Sequence, residues 1–131
     1  MAEANEAAFE KLLVWQRAHQ LALAVYGLSK PFPSEEKFAL TDQLRRAAAS
    51  VPMNIAEGHA ARSDRVFLRH LAVAQGSLAE VRYCLLLARD LRYLSLEVYE
   101  QSADLAAEVS RLLTAFRKKV EERCTPTQSP E

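Results

Sequence analysis

Four segments of the chain carry apolar residues at alternating spacings of three and four, the repeat of an amphipathic α-helix. The predicted helices cover about residues 9–29, 35–57, 64–90 and 96–122. The third helix keeps the repeat longest, with one apolar stripe formed by Phe67, Leu71, Ala74, Leu78, Val81, Leu85 and Ala88. A seven-residue repeat favours left-handed packing at crossing angles of about 20°. The sequence therefore predicts an all-α, antiparallel, up-down-up-down four-helix bundle.

The segments between these helices contain residues that are typical of helix ends. Two prolines precede Ser34, which is predicted to cap the start of helix 2. Gly58 is predicted to end helix 2 in the left-handed conformation. Ser63 and Ser95 are predicted to cap helices 3 and 4. Connections this short join antiparallel neighbours.

Pro52 lies inside the second predicted helix, where it cannot donate a hydrogen bond to the carbonyl of Ala48. The apolar pattern continues beyond it toward Gly58, so we expect a kink in helix 2 and not its end. Ser50 or Asn54 is expected to bond to the freed carbonyl.

Gly76 is the unusual residue of helix 3, since glycine costs a helix about 1 kcal/mol relative to alanine. We expect it to allow close approach to the alanines of helix 2.

Apolar residues are more numerous than the interior of one bundle requires. Those outside the main stripes of helices 1 and 3 are Leu12, Leu13, Trp15, Ala22, Leu23, Ala24, Tyr26, Val66, Leu68, Val73, Leu86 and Leu87. A helix that is apolar all round is buried on more than one side. Self-association is the commonest cover, so we expect a homo-oligomer. The alternative is a small bundle that tolerates exposed leucines.

The chain of 131 residues is predicted to form a single domain over residues 9–122. Residues 1–8 are predicted to be a flexible N-terminus, and the polar residues 123–131 a disordered C-terminal tail. Neither a signal peptide nor an unbroken apolar run of membrane-spanning length is evident, so the cytoplasm is the expected location.

Charge and motifs argue against several functions. Lys plus Arg number 17 and Asp plus Glu number 17, so a polyanion could be attracted only by a local patch. No Glu-x-x-His pair occurs. His19 is expected on a helix surface or in an interface, His59 in a loop, and His70 on the surface of helix 3. The two cysteines lack metal spacing, and phosphate-loop and nucleophile motifs are absent. The sequence predicts no enzyme, no metal and no cofactor.

Two groups of polar residues remain as candidate sites. The first group comprises residues around Pro52 and on helix 3, namely Arg45, Arg46, Ser50, Asn54, Glu57, Arg62, Arg65, Glu80 and Arg82. It is either a structural network, with Glu57 or Glu80 paired to Arg45 or Arg46 within or between subunits, or an arginine cluster for phosphate or an acidic partner. The second group is Arg117, Lys118, Lys119 and Arg123. These cations complement the dipole at the end of helix 4, or form a patch that an oligomer repeats as a ring able to bind RNA.

Residues 39–47, ALTDQLRRA, and residues 50–58, SVPMNIAEG, resemble the helix-2 motif of a four-helix bundle family encoded in intervening sequences of bacterial 23S rRNA genes. The similarity extends over about residues 9–120, including VWQRA at 14–18, Phe32-Pro33 with Glu36, and AQGSLAE at 74–80. The resemblance implies an antiparallel four-helix bundle that assembles as a ring, a pentamer, with no catalytic residues. It also implies a relation to accessory proteins of diversity-generating retroelements, which bind a reverse transcriptase and nucleic acid through a basic surface.

Two functional hypotheses follow. The first is a non-enzymatic oligomeric scaffold that binds RNA or a nucleic-acid enzyme. Its candidate contacts are Arg45, Arg46, Arg62, Arg65, Arg117, Lys118 and Lys119, while Ser50, Pro52, Asn54, Glu57, Gly58 and Glu80 form a structural motif. The alternative is a protein-interaction module that binds no nucleic acid.

Overall fold

A computed structural model describes residues 6–124 of the chain, and these residues form helices connected by short turns. The four α-helices are α1 (Leu13–Leu28), α2 (Leu40–Ala60), α3 (Asp64–Asp90) and α4 (Leu96–Cys124), and two 3₁₀ helices cover Ala8–Lys11 and Ser34–Glu36. Each α-helix packs against its two neighbours in the order α1, α2, α3, α4 and back to α1. The predicted all-α four-helix bundle is confirmed. The kink at Pro52 stays a prediction, and most of the predicted flexible N-terminus and disordered tail lies outside the described residues.

One apolar core runs along the axis of the bundle and draws on all four helices. Its largest fully buried leucines and isoleucine are Leu21, Leu44, Ile55, Leu71, Leu85 and Leu113. The stripe predicted for helix 3 is buried as a whole, which is why α3 keeps its repeat through 27 residues. Burial of this stripe against α2 and α4 stabilises the fold.

Two of the three predicted helix N-caps are present in the structure. The Ser63 hydroxyl accepts a hydrogen bond from the Val66 N–H at 3.3 Å. The Ser95 hydroxyl accepts one from the Val98 N–H at 3.1 Å. Both caps are therefore as predicted.

The prediction that Ser34 caps helix 2 is wrong. Ser34 begins a separate 3₁₀ turn, and α2 begins only at Leu40. The Glu36 carboxylate accepts the Leu40 N–H at 3.3 Å and so takes the place of a serine cap.

The prediction that Gly58 ends helix 2 is also wrong. The helix continues to Ala60, and Arg62 adopts the left-handed conformation in its place, with φ of 56°. Gly58 is instead a helical residue against which α3 packs closely. An added Cβ there would lie 2.6 Å from Phe67 Cδ1 and 2.8 Å from His70 Cβ.

Gly76 does not have the role that the sequence predicts. It is exposed on α3, and an added Cβ would meet no atom within 4 Å. The close approach of α2 and α3 depends on Gly58, on the opposite helix, because that glycine faces the interface and Gly76 does not.

By length and composition alone, α3 could cross a membrane, with a mean hydropathy of 1.3 over its most apolar window. Helices in the interior of a bundle meet the same criteria, and α3 packs between α2 and α4. Burial in the core accounts for part of its apolar character, since 39% of that window is buried.

Candidate binding surfaces

A chain of polar side chains crosses the interface of α2 and α3. The Ser50 and Ser77 hydroxyls lie 2.7 Å apart, and the Asn54 side-chain amide donates to the Ser50 carbonyl and hydroxyl at 2.9 and 3.0 Å. His70 Nδ1 lies 3.0 Å from Asn54 Oδ1. Because the Asn54 amide nitrogen already donates to Ser50, its oxygen is the acceptor and His70 Nδ1 carries the hydrogen. This polar chain supports the structural interpretation of the motif around Pro52.

The details of that network differ from the predicted ones. Asn54 bonds to the Ser50 carbonyl and not to the Ala48 carbonyl that Pro52 frees, because its side chain reaches back one full turn. His70, expected on the surface, is half-buried in this interface. His59, expected in a loop, lies in the last turn of α2 with its ring edge-on to Phe67.

Arg45 pairs with neither Glu57 nor Glu80 within the chain, and a pair between subunits stays a prediction. Its Nε donates to the Ser29 hydroxyl at 2.8 Å, and its guanidinium lies 5.0 Å from the centre of the Tyr26 ring. Arg45 therefore lies on the face of α2 that meets α1, whereas Glu80 is on α3.

Arg46 and Glu80 have other partners as well. Arg46 is 80% exposed and lies 3.8 Å from Asp42, one turn earlier on the same helix. Glu80 accepts a hydrogen bond from Gln43 at 3.1 Å. An exposed pair such as Arg46 and Asp42 contributes little to stability.

The structure separates the first arginine cluster into two pairs. Arg45 and Arg46 lie near the start of α2, and Arg62 and Arg65 lie beyond its end. At 1.5 Å per residue, the two pairs are about 25 Å apart along the helix axis. A long helix therefore divides what looked like one cluster in the sequence.

Arg62 and Arg65 instead share one end of the bundle with the cations of α4. The last turn of α4 is fastened to the first turn of α3 by Arg123 and Asp64, whose Nη2 and Oδ1 are 3.0 Å apart. We call the four exposed cations here the basic end, which consists of Arg62, Arg65, Lys118 and Lys119. None of these four forms an ion pair with another residue in 6–124.

Arg117 differs from its neighbours Lys118 and Lys119. Its Nη1 donates to the Gln75 side chain on α3, and its Nε lies 3.7 Å from Glu121. Arg117 therefore joins α3 to α4, and it is less available to a ligand than the two lysines.

Titratable groups that could do chemistry are scattered among the described residues. Burial, and to a smaller extent the charge of Glu80, raises the pKa of the Cys84 thiol, so this group stays protonated near neutral pH. Within residues 6–124, His, Cys, Asp and Glu form no group that could hold a metal ion.

The apolar surplus seen in the sequence is only partly exposed. Leu12, Trp15, Leu68 and Leu87 pack against the core, and Ala22 is buried. Exposed apolar side chains on α1 and α3 are Leu13, Leu23, Tyr26, Val73 and Tyr83.

An apolar groove lies beside Leu13 between α1 and α4. It has a volume of about 190 Å³ and is lined by Leu12, Leu13, Val14, Leu112, Ala115, Phe116 and Lys119.

Another cavity, where the end of α1 meets the start of α2, contains residues that sequence reasoning missed. It combines Lys30, Lys37 and Thr41 with Arg45. The lysines belong to a turn whose path the sequence does not reveal, and the threonine looked like an ordinary helical residue. Only Arg45 was a candidate from its sequence neighbourhood.

Comparison with known proteins gives a match to a family model and matches to solved structures. The family model described as 23S rRNA-intervening sequence protein matches residues 10–115. The fold is similar to the crystal structure of a protein with unknown function from the S23 ribosomal protein family of Bacteroides thetaiotaomicron VPI-5482. That match has 28% identity and a TM-score of 0.75, and it covers 81% of this chain and 96% of the other. No match is found among curated proteins.

Proposed function

Since this chain belongs to the 23S rRNA-intervening sequence protein family, we propose that it is a non-enzymatic, pentameric scaffold that binds RNA or a nucleic-acid enzyme. The observation that carries the proposal is the basic end, where Arg62, Arg65, Lys118 and Lys119 are exposed without an ion pair among residues 6–124. Cations of this kind release counterions when they bind phosphates, which is the main source of affinity for nucleic acid.

The proposal requires oligomerisation, because a ring repeats the basic end in every copy. The chain has no net charge, so a single copy attracts a polyanion only weakly. A closed ring with cyclic symmetry repeats the basic end once in each copy on the same side of the assembly. Contacts that are weak in one copy then act together on one long ligand.

RNA binding is tested by charge reversal at the basic end. The double variant Arg62→Glu, Arg65→Glu is compared with Arg46→Glu, which reverses an exposed charge near the other end of α2. We expect the double variant to bind labelled RNA at least ~10-fold more weakly, and to lower the slope of log K against log salt by about 1 to 2. Fluorescence anisotropy over a salt series measures both quantities. Equal losses in the two variants, or no RNA binding by the wild type at physiological salt, would contradict the proposed site.

Assembly is tested separately at the exposed leucines of α1. Leu23 is 60% exposed, and Leu23→Glu should reduce the mass while leaving the helix content unchanged. Gln20→Glu adds the same charge to an exposed position one turn earlier and is the control. Light scattering after size exclusion should give about five times the 14.7 kDa of one chain for the wild type and the control. A monomeric wild type would contradict the ring.

The groove between α1 and α4 favours a second candidate function, a protein-interaction module that binds no nucleic acid. Its lining is almost wholly apolar, as in surfaces that receive partner helices. This function predicts an oligomer that purifies without nucleic acid, judged by its ultraviolet absorbance spectrum. It also predicts that Leu112→Glu, in the groove, abolishes capture of the partner protein while the basic-end variant retains it.

A further inference from the structure

The cavity between α1 and α2 has a lining suited to an anion. Its volume is about 290 Å³, at the small end of the range for ligand sites. Three cations line it, Lys30, Lys37 and Arg45, together with the hydroxyl residues Ser29, Ser34 and Thr41 and the apolar Phe32 and Pro33. No carboxylate is among the residues that line it.

Thr41 supplies the observation that points to a ligand. The residue is only 8% exposed, and its hydroxyl is buried without a hydrogen-bond partner among the described residues. Such a group costs free energy unless a partner is bound, so it calls for an explanation. Thr41 also lies in the first turn of α2, whose N-terminus favours an anion. One N–H of that turn, that of Leu40, is already bonded to the Glu36 carboxylate.

Part of the Arg45 guanidinium is already hydrogen-bonded within the chain, and part of it is available to a ligand. Its Nε and Nη2 donate to the Ser29 hydroxyl and the Tyr26 carbonyl, and the guanidinium stacks on the Tyr26 ring. Its Nη1 has no partner among the described residues. A guanidinium that is already ordered loses less entropy when it binds an oxyanion.

Two of the acidic residues next in sequence already have partners, and neither lines the cavity. Glu36 accepts hydrogen bonds from the Leu40 N–H and from the Tyr93 hydroxyl, the latter at 2.8 Å. Asp42 pairs with Arg46. Glu35 is exposed in the 3₁₀ turn and does not line the cavity.

We propose that this cavity binds a dianionic phosphate, either free or as a small monoester, between Arg45, Lys30, Lys37 and the Thr41 hydroxyl. Three cations match the two charges of a phosphate monoester better than the single charge of a phosphodiester. The site is near the opposite end of α2 from the basic end, so it does not depend on the proposed scaffold function.

The test measures the melting temperature of the full chain in inorganic phosphate and in chloride at equal ionic strength, with ribose 5-phosphate as a second probe. Phosphate should raise the melting temperature of the wild type, because a ligand that binds only the folded state stabilises it. Arg45→Gln should weaken phosphate affinity, measured by calorimetry, by about 10-fold or more, since a charged hydrogen bond is lost. Arg46→Gln, one residue along and outside the cavity, should retain the affinity.

Thr41→Val gives the sharper result, because it should raise the melting temperature in chloride and yet reduce the increase that phosphate adds. In chloride the variant should melt higher than the wild type, since it loses a buried hydroxyl without a partner. In phosphate the additional stabilisation should be much reduced. Equal melting temperatures of the wild type in the two salts would overturn the proposal, as would a phosphate effect that Arg45→Gln and Thr41→Val both retain.

Oligonucleotides separate a monoester from an RNA backbone. An RNA with a 5′-phosphate should compete with inorganic phosphate, and the same RNA with a 5′-hydroxyl should not. Equal competition by both would assign the cavity to phosphodiesters and overturn the monoester proposal. The basic-end variant Arg62→Glu, Arg65→Glu should leave phosphate binding by the cavity unchanged. Loss of RNA binding by this variant can therefore be distinguished from loss of phosphate binding.

Discussion

The contact between α2 and α3 is close and polar at its centre, whereas the contact between α1 and α4 is apolar and open. At Gly58 the first contact leaves no room for a Cβ atom, and polar side chains from Ser50 to His70 cross it. The second contact contains two cavities, of about 190 and 250 Å³. Among residues 6–124, its one ion pair joins Arg17 Nε to Glu108 at 3.0 Å.

This difference indicates how the chain divides structural and binding roles. Ser50, Asn54 and Gly58 recur every four residues, so they form one stripe of α2 that faces α3. Packing and internal hydrogen bonds thus explain these three residues of the helix-2 motif. The contact of α1 and α4 is less completely filled, and its apolar groove is a surface that a partner could cover.

The largest expected difference between the two contacts comes from removing a core leucine. Leu71 on α3 is fully buried, and Leu71→Ala should lower the free energy of unfolding by about 2 to 5 kcal/mol. Leu112 lines the open groove and is only half-buried, so Leu112→Ala should cost about 1 kcal/mol or less. Urea unfolding at one fixed protein concentration measures both, because assembly changes the apparent stability. Equal costs would mean that the α1–α4 contact is as tightly packed as the other.

Two glycines allow the close contact to be tested with one type of substitution. Gly58→Ala should destabilise the chain by about 1 to 2 kcal/mol, because the clash with Phe67 and His70 exceeds the gain in helix propensity. Gly76→Ala meets open space and should stabilise it by up to about 1 kcal/mol. Chemical denaturation of the two variants shows whether each substitution raises or lowers the free energy of unfolding. A stabilising Gly58→Ala would show that α3 can move away from α2 at no cost.

These two glycines also show where sequence reasoning reached its limit. The apolar repeat predicts the four helices because burial of one stripe per helix is a property of the sequence alone. The repeat does not predict which residues of two neighbouring helices lie opposite each other. The sequence therefore points to Gly76 for the close approach that Gly58 provides. Likewise, Arg45 and Arg46 are separated from Arg62 and Arg65 by most of the length of α2. The basic end combines residues from two distant segments of the chain. The apolar repeat predicts the helices but not the contacts between distant segments.

The polar chain should contribute less than core packing. Asn54→Ala removes hydrogen bonds to Ser50 and leaves His70 Nδ1 without its partner, so it should cost about 1 kcal/mol. A double-mutant cycle with His70→Ala isolates the contact between the two side chains, with an expected coupling of about 0.5 to 1 kcal/mol. Zero coupling would show that Asn54 stabilises α2 alone and does not join it to α3.

The smallest effect is expected for the ion pair between α1 and α4. Arg17 and Glu108 side chains are 35% and 39% exposed, so solvent screens their attraction. A double-mutant cycle of Arg17→Gln and Glu108→Gln should give a coupling of about 0.2 to 1 kcal/mol that decreases as salt is added. Arg111→Gln, an exposed position on α4 with no ion pair among residues 6–124, controls for loss of charge alone. A coupling above about 2 kcal/mol that persists in high salt is the size expected of a buried pair. That result would mean that a second copy covers Arg17 and Glu108, and it would make the α1–α4 contact part of an assembly interface.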